Sequence, residues 1–175
     1  MLIKYRSLKI IDAEKIRKWR NNQLKILRQT TKIKKHEQMS YFKKNILVKN
    51  SKLKLFAIDF DEKLVGYGGL VNISSHFKTA EVSFLLNDKI NHNSKIYEKI
   101  FINFLSFIKK YSFQKKKLRK LYTETYSFRK KQIRILENCG FKLEGAMKMH
   151  IIKNKKIYDS LIHGILKKNK KWVSN

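Results

Sequence analysis

Ile135-Leu136-Glu137-Asn138-Cys139-Gly140-Phe141-Lys142-Leu143-Glu144-Gly145 carries the end of one predicted helix and the start of one predicted strand. Glycine adopts left-handed backbone without a Cβ clash, so Gly140 is a natural residue just past a helix end. The helix it closes reads from about Phe128 to Asn138. Downstream, Phe141 to Ile152 and Ile157 to Leu166 form two long strands joined at Lys153 to Lys156, a terminal hairpin. Upstream, Leu118 to Tyr126 reads as a strand. Before it, Tyr97, Ile100, Phe101, Phe104, Leu105, Ile108 and Tyr111 place one apolar stripe on a helix that ends in the basic run Lys115 to Lys117. Helix, strand, helix and hairpin in that order predict a mixed sheet with helices packed on it.

The N-terminal half supplies the remaining elements. Leu2 to Leu8 reads as a strand, and Asp12 as the N-cap of a short helix through Trp19. Lys34 to Asn50 reads as a second helix, with Met39, Phe42, Ile46 and Leu47 at helical spacing. Three strands follow, Leu53 to Phe60, Leu64 to Ile73 and Thr79 to Asn87, the first two joined by a tight turn at Asp61-Glu62. The class is α/β (α+β), and 175 residues fit one domain, 1–175.

Composition narrows the function. Hydrophobic residues are 42% and aromatic residues 12%, which suits a packed core. Met1 to Trp19 interleaves apolar and charged residues and has no apolar signal core, and the most apolar stretch, Ile100 to Ile108, is far short of a membrane span. The single cysteine, Cys139, forms no internal disulfide and is read as structural. No Cys/His cluster has zinc spacing, so no metal is expected. These features suit a cytoplasmic protein. The formal charge of +29 invites a nucleic-acid reading, but only seven of the 42 basic residues are Arg, the residue that pairs bidentately with phosphates and bases. Lys is spread along the whole chain, so nucleic acid is disfavoured as a partner. The positive field would instead draw in small anionic ligands.

Four stretches, in order, carry a family resemblance: Val65-Gly66-Tyr67-Gly68-Gly69-Leu70; Ala80-Glu81-Val82-Ser83-Phe84-Leu85-Leu86; the Ile135 to Gly145 run above; and Tyr158-Asp159-Ser160-Leu161. Together they resemble the GNAT superfamily of N-acetyltransferases over essentially the whole chain. The resemblance implies a central, mostly antiparallel seven-stranded mixed sheet, splayed between strands 4 and 5, with about four helices on it. It implies acetyl-CoA as cosubstrate, with pantetheine in the splay against Phe84, Leu85 and Leu86. Glu81 would then lie beside the thioester, where a partly desolvated carboxylate can take a proton from the attacking amine.

Two positions depart from the family pattern. The pyrophosphate loop, glycine-rich in the family, here reads Asn91-His92-Asn93-Ser94-Lys95-Ile96-Tyr97, with no glycine. A helix N-terminus and polar side chains remain to hold phosphate. The Tyr that many members use as general acid aligns with Leu136, and the usual Asn at the start of that helix with Arg129. Tyr126 is the substitute candidate acid.

Trp19-Arg20-Asn21, the loop with Arg28 and Gln29, and His36-Glu37-Gln38 before Tyr41-Phe42 resemble bacterial GNAT enzymes that acetylate nucleotide-linked amino sugars of surface glycans or flagellin. The resemblance implies acceptor contacts at Trp19, Arg20, Asn21, Arg28 and Gln29: the Arg residues on a nucleotide diphosphate, unless they form surface pairs with Glu14 or Glu37, and Trp19 on a sugar or base, unless it only anchors its helix. The partner is then a small-molecule amino sugar, and the protein a monomer or homodimer. N-terminal acetylation of a ribosomal protein and a non-enzymatic nucleic-acid- or ribosome-binding module remain alternatives. His76, His150 and His163 lack partners at catalytic spacing.

Overall fold

A computed structural model describes residues 2–49, 51–90, 92 and 94–168. In chain order the elements are β1 (Ile3–Ser7), α1 (Asp12–Asn22), α2 (Lys35–Tyr41), β2 (Lys54–Phe60), β3 (Lys63–Ser74), β4 (Thr79–Leu86), α3 (Lys95–Lys110), β5 (Lys120–Tyr126), α4 (Lys130–Asn138), β6 (Lys142–Lys153) and β7 (Lys156–Leu166). α2 and α3 each continue into a wider π-helical turn, Phe42–Ile46 and Tyr111–Lys115. The strands form one sheet in the order β1-β2-β3-β4-β5-β7-β6. All neighbours are antiparallel except β4 and β5. That parallel pair is registered only at Thr79↔Lys120, Ala80↔Leu121 and Glu81↔Tyr122. Beyond Glu81 the two strands part, which is the splay expected from the sequence.

Some boundaries differ from the sequence reading, for local reasons. α1 runs three residues past Trp19, to Asn22, and the second helix regularises only over Lys35–Tyr41 before its wide turn. Asp12 is not the N-cap; it is the first helical residue, preceded by Ile11. Its carboxylate accepts from the Lys9 backbone N–H at 2.8 Å and from both Arg6 terminal nitrogens at 2.8 and 3.0 Å. Arg6 Nε also donates to Asp59 at 2.8 Å, so one guanidinium ties β1, β2 and the start of α1. These partners hold the Asp12 carboxyl below the usual range against the opposing cost of burial.

One face of the sheet is covered by α3 and α4. Tyr97, Ile100, Phe101, Phe104, Leu105 and Ile108 of α3 are buried there against Leu70, Val82, Leu86 and Leu121. Fully burying such side chains is worth about 1.5–3 kcal/mol each. Close approach requires Gly68: a Cβ there would stand 2.8 Å from the Phe104 ring and 2.7 Å from the Ser83 carbonyl. Gly140, at φ +89°, ends α4 as expected. The other face is covered by α1 and α2 over a smaller apolar cluster of Leu8, Ala13, Ile16, Phe42, Ala57, Tyr67 and Leu85.

Candidate functional site

Where β4 and β5 part, a cleft of about 100 Å³ opens, lined by Arg28, Glu81, Phe84, Tyr126, Arg129 and Gln132 among others. Thr123 Oγ1 donates to the Val82 carbonyl at 3.1 Å just past the last paired residues. Glu81 sits at this fork with 4% of its surface exposed. Its Oε1 accepts from Arg28 Nη2, and its Oε2 accepts from Asn72 Nδ2 at 2.7 Å. Asn72 reaches it because β3 bulges between Val71 and Ser74, and Asn72 takes φ +48° there. Arg28 Nε also lies 3.5 Å from Glu124 Oε2, so this side chain spans the mouth of the cleft from β4 to β5.

The far wall is polar and underused. The buried Thr125 Oγ1 and Gln132 Oε1, on residues that line the cleft, have no hydrogen-bond partner among the described residues. Buried polar atoms are normally paired, so these two suit a polar ligand. Arg129, whose guanidinium lies against Tyr97 and Tyr126, loses some basicity to burial while both phenols pull the other way. Tyr126 is buried, and burial foremost raises its pKa, with the Glu124 charge adding and Arg28 and Arg129 opposing. The fold therefore brings Glu81, Tyr126 and Arg129 to one cleft. Leu136 is buried in the core.

The residues assigned to acetyl-CoA divide. Phe84 lines the cleft and stacks on Phe101 at 4.5 Å. The side chains of Leu85 and Leu86 instead fill the two cores, and the Leu86 carbonyl accepts from Gln23 Nε2 at 2.9 Å. In the loop, Asn91 and Asn93 lie outside the described residues. Ser94 caps α3, its Oγ accepting from the Tyr97 backbone N–H at 3.1 Å. Lys95 and Ile96 are exposed on the first turn of α3, and Tyr97 is buried. His92 Nε2 meets Gln23 Oε1 at 3.1 Å, and burial, then the charge of Arg129, lower its pKa to about 4.

Beside the residues expected to meet the acceptor, a second cavity, about 460 Å³, lies between α1, α2 and the sheet and is lined by Arg20, Glu37, Tyr41, Tyr67 and Ser83 among others. Ser83 also lines the first cleft, so the two adjoin. The volume is that of a small-molecule site. Arg20 Nη1 donates to the Tyr67 hydroxyl at 2.8 Å and its Nε to Gln29 Oε1 at 3.0 Å. Gln29 Nε2 donates to Asn21 Oδ1 at 3.0 Å, and Asn21 in turn clamps both backbone groups of Ile33. Arg20, Asn21 and Gln29 are thus one network that orders the loop between α1 and α2. Trp19 packs against the smaller apolar cluster. Neither sequence-based pairing for the arginines is formed: Glu14 pairs with Arg17, and Glu37 accepts from the Lys34 backbone N–H.

Asn72, Glu124, Thr125 and Gln132 escaped the sequence reading. Gln132 had a faint signal as a polar residue on the apolar face of Ile135 and Leu136. Asn72 had none, because nothing local marks the bulge that aims it.

The sequence matches the family model described as Acetyltransferase (GNAT) domain over residues 5–162. No curated protein matches the chain. Among solved structures, the spermidine N-acetyltransferase from Vibrio cholerae in complex with CoA and spermine is similar with a TM-score of 0.81 and 21% identity, covering 94% of this chain and 95% of that one. A dodecameric structure of the spermidine N-acetyltransferase from Vibrio cholerae is similar with a TM-score of 0.77 and 21% identity, covering 94% and 93%.

Proposed function

The chain belongs to the GNAT acetyltransferase family, an acetyl-CoA-dependent N-acetyltransferase by that membership, and on that premise we propose that its acceptor is the amine of a nucleotide-linked amino sugar. The observation that carries the reading is the pair Arg20 and Arg28, which line the two adjoining cavities on the α1 side of β4 in a chain of formal charge +29. An anionic acceptor is drawn toward such a surface, and a guanidinium pairs bidentately with a diphosphate.

Acetyl-CoA supplies the acetyl group as a thioester for the amine nitrogen to attack. Thr125 Oγ1, Gln132 Oε1 and the Arg129 guanidinium are the groups on this chain suited to hold it in the cleft. Glu81 takes the proton that the acceptor ammonium must lose before it becomes nucleophilic. Asn72 keeps that carboxylate aimed. Tyr126, like any phenol, keeps its hydroxyl proton at neutral pH, and burial raises its pKa further. That proton is available to the CoA thiolate released as the thioester C–S bond breaks. Tyr41 and Tyr67 offer aromatic and hydroxyl surface for a sugar in the larger cavity. We place the reaction in the cytoplasm, where the lone Cys139 stays reduced.

A polyamine, the acceptor named for the similar structures, is the second reading, and Glu37 and Glu124 at the two cavities suit its ammonium groups. Net charge argues against it, because a polycation approaches a chain of formal charge +29 against its field. Two measurements test the proposal. Acetyl-CoA at millimolar concentration raises the melting temperature, since a ligand of the folded state stabilises it. Acetylation of a nucleotide-linked 4-amino sugar exceeds that of spermidine in kcat/KM. Turnover of spermidine with none of the sugar nucleotide overturns the assignment.

A further inference from the structure

Arg28 is a long side chain, 55% exposed, yet the side chains of both carboxylates it meets are mostly buried, 6% exposed for Glu81 and 15% for Glu124 counted over the side chain alone. Among the described residues it is the cation that pairs with Glu81, and it occupies the oxygen that Asn72 leaves available. Glu81 lies on β4 and Glu124 on β5, so the guanidinium clasps the two strands at the point where they part. With one oxygen on Arg28 and the other on Asn72, Glu81 meets an incoming ammonium only by giving up one of these contacts. Arg28 therefore spans the mouth of the cleft and covers the carboxylate that would act as base.

The backbone that carries Arg28 is pinned from elsewhere. Lys153 Nζ, at the end of β6, donates to the Leu24 carbonyl at 3.0 Å and to the Leu27 carbonyl at 2.8 Å. Gln29, the next residue, is locked to Arg20, Asn21 and the Thr31 carbonyl. With the loop fixed on both sides, the Arg28 side chain is free to turn on its own χ angles while its backbone stays.

We propose that Arg28 is a positioning residue that works as an electrostatic latch: without acceptor it holds and masks Glu81, and an acceptor diphosphate draws it away and leaves Glu81 to take the amine proton. This inference rests on the nucleotide-linked reading of the acceptor. It makes base release conditional on the anionic part of the correct substrate. It also gives Asn72 a purpose, because Glu81 keeps one fixed partner after Arg28 leaves. Glu81 and a diphosphate then compete for the same guanidinium, and that competition is measurable without turnover.

The test is UDP binding by calorimetry to the full chain saturated with CoA, so that the donor site is filled. Arg28→Ala weakens UDP about tenfold, in line with loss of one charge-assisted contact. Glu81→Gln tightens it about threefold or more, because Arg28 no longer leaves a partner to reach the phosphates. Glu124→Gln, which cuts the other half of the clasp, tightens it less and stands in if Glu81→Gln fails to fold. Unchanged or weaker UDP binding in folded Glu81→Gln and Glu124→Gln overturns the latch. If the wild type still acetylates the sugar nucleotide in that event, the acceptor reading stands without it. Neither UDP binding nor sugar-nucleotide turnover by the wild type takes down both.

Discussion

The two faces of the sheet are built on opposite principles. Under α3 and α4 the packing is apolar and aromatic: the Phe101 and Phe104 rings lie 4.5 and 4.9 Å from that of Phe84, and Tyr5 stacks on Phe107 at 4.0 Å. Under α1 and α2 the apolar cluster is smaller, and order comes from hydrogen bonds that run through Arg17, Arg20, Asn21, Gln29 and Ile33. A close-packed core is costly to deform, whereas a hydrogen-bonded loop can exchange one partner for another. The first face therefore sustains the fold, and the second, on the proposed function, is the one that would respond to an acceptor. Substitutions on each side should fail in different ways.

The largest effect belongs to the packed face. Phe104 is fully buried between α3 and Gly68, and Phe104→Ala should cost about 3–5 kcal/mol, read as a shift of the urea midpoint. Phe42→Ala, on the other face and beside an existing cavity, should cost less. Equal losses would mean that both faces hold the fold alike and would break the comparison.

Next comes the fork between the faces. Glu81→Gln keeps the shape and the Asn72 contact but removes the proton acceptor, so kcat at neutral pH should fall roughly 10- to 1,000-fold with little change in CoA affinity. Wild-type kcat across pH 6 to 9 would remove Glu81 from the reaction and move attention to Tyr126.

These two predictions also mark what a reader of the sequence could and could not see. Phe104 was visible at once, because helical periodicity records burial directly. Glu81 was visible as the lone charged residue of its strand. Its partners were not, since Arg28 lies 53 residues before it and Asn72 depends on a bulge. The same limit hid the true partner of Asp12 and left open whether Trp19 meets an acceptor or anchors its helix; in the structure it packs against the smaller apolar cluster. Periodicity carries the order of elements. Pairing across loops is decided by the folded geometry.

A smaller effect is expected within the responsive face. Arg20→Ala removes the donor to Tyr67 and Gln29 and leaves the apolar cluster intact. KM for a nucleotide-linked amino sugar should rise about tenfold, since a charge-assisted hydrogen bond is worth roughly 1.5–3 kcal/mol. KM for acetyl-CoA should not move. A parallel rise in both constants would show that the network merely orders the loop.

The smallest effect tests a place where elements on the two faces meet through a titratable group, His92. Gln23, at the end of α1, gives its Nε2 to the Leu86 and Trp19 carbonyls at 2.9 and 3.2 Å, so its Oε1 is turned to His92 as an acceptor. His92 Nε2 must then carry the proton, and Nδ1 stays bare and buried with no partner among the described residues. On its other side the ring meets Tyr97 of α3 edge-on at 5.0 Å. Burial, and then the Arg129 charge, hold the folded pKa near about 4, against an ordinary value of 6.5. The sign follows from proton uptake. Below about pH 6.5 the unfolded chain binds a proton at His92 that the folded chain refuses until about pH 4. Stability should therefore fall as pH drops through that window and level off beneath it. His92 is only part-buried, so solvent screens the effect, and about 2–4 °C of melting temperature is a reasonable size for a chain of this length. The measurement is the loss of melting temperature between pH 7.5 and 5.0 in wild type and in His92→Gln. The variant should lose less. Parallel losses would mean that His92 is neutral to folding and that the two faces are joined by packing alone.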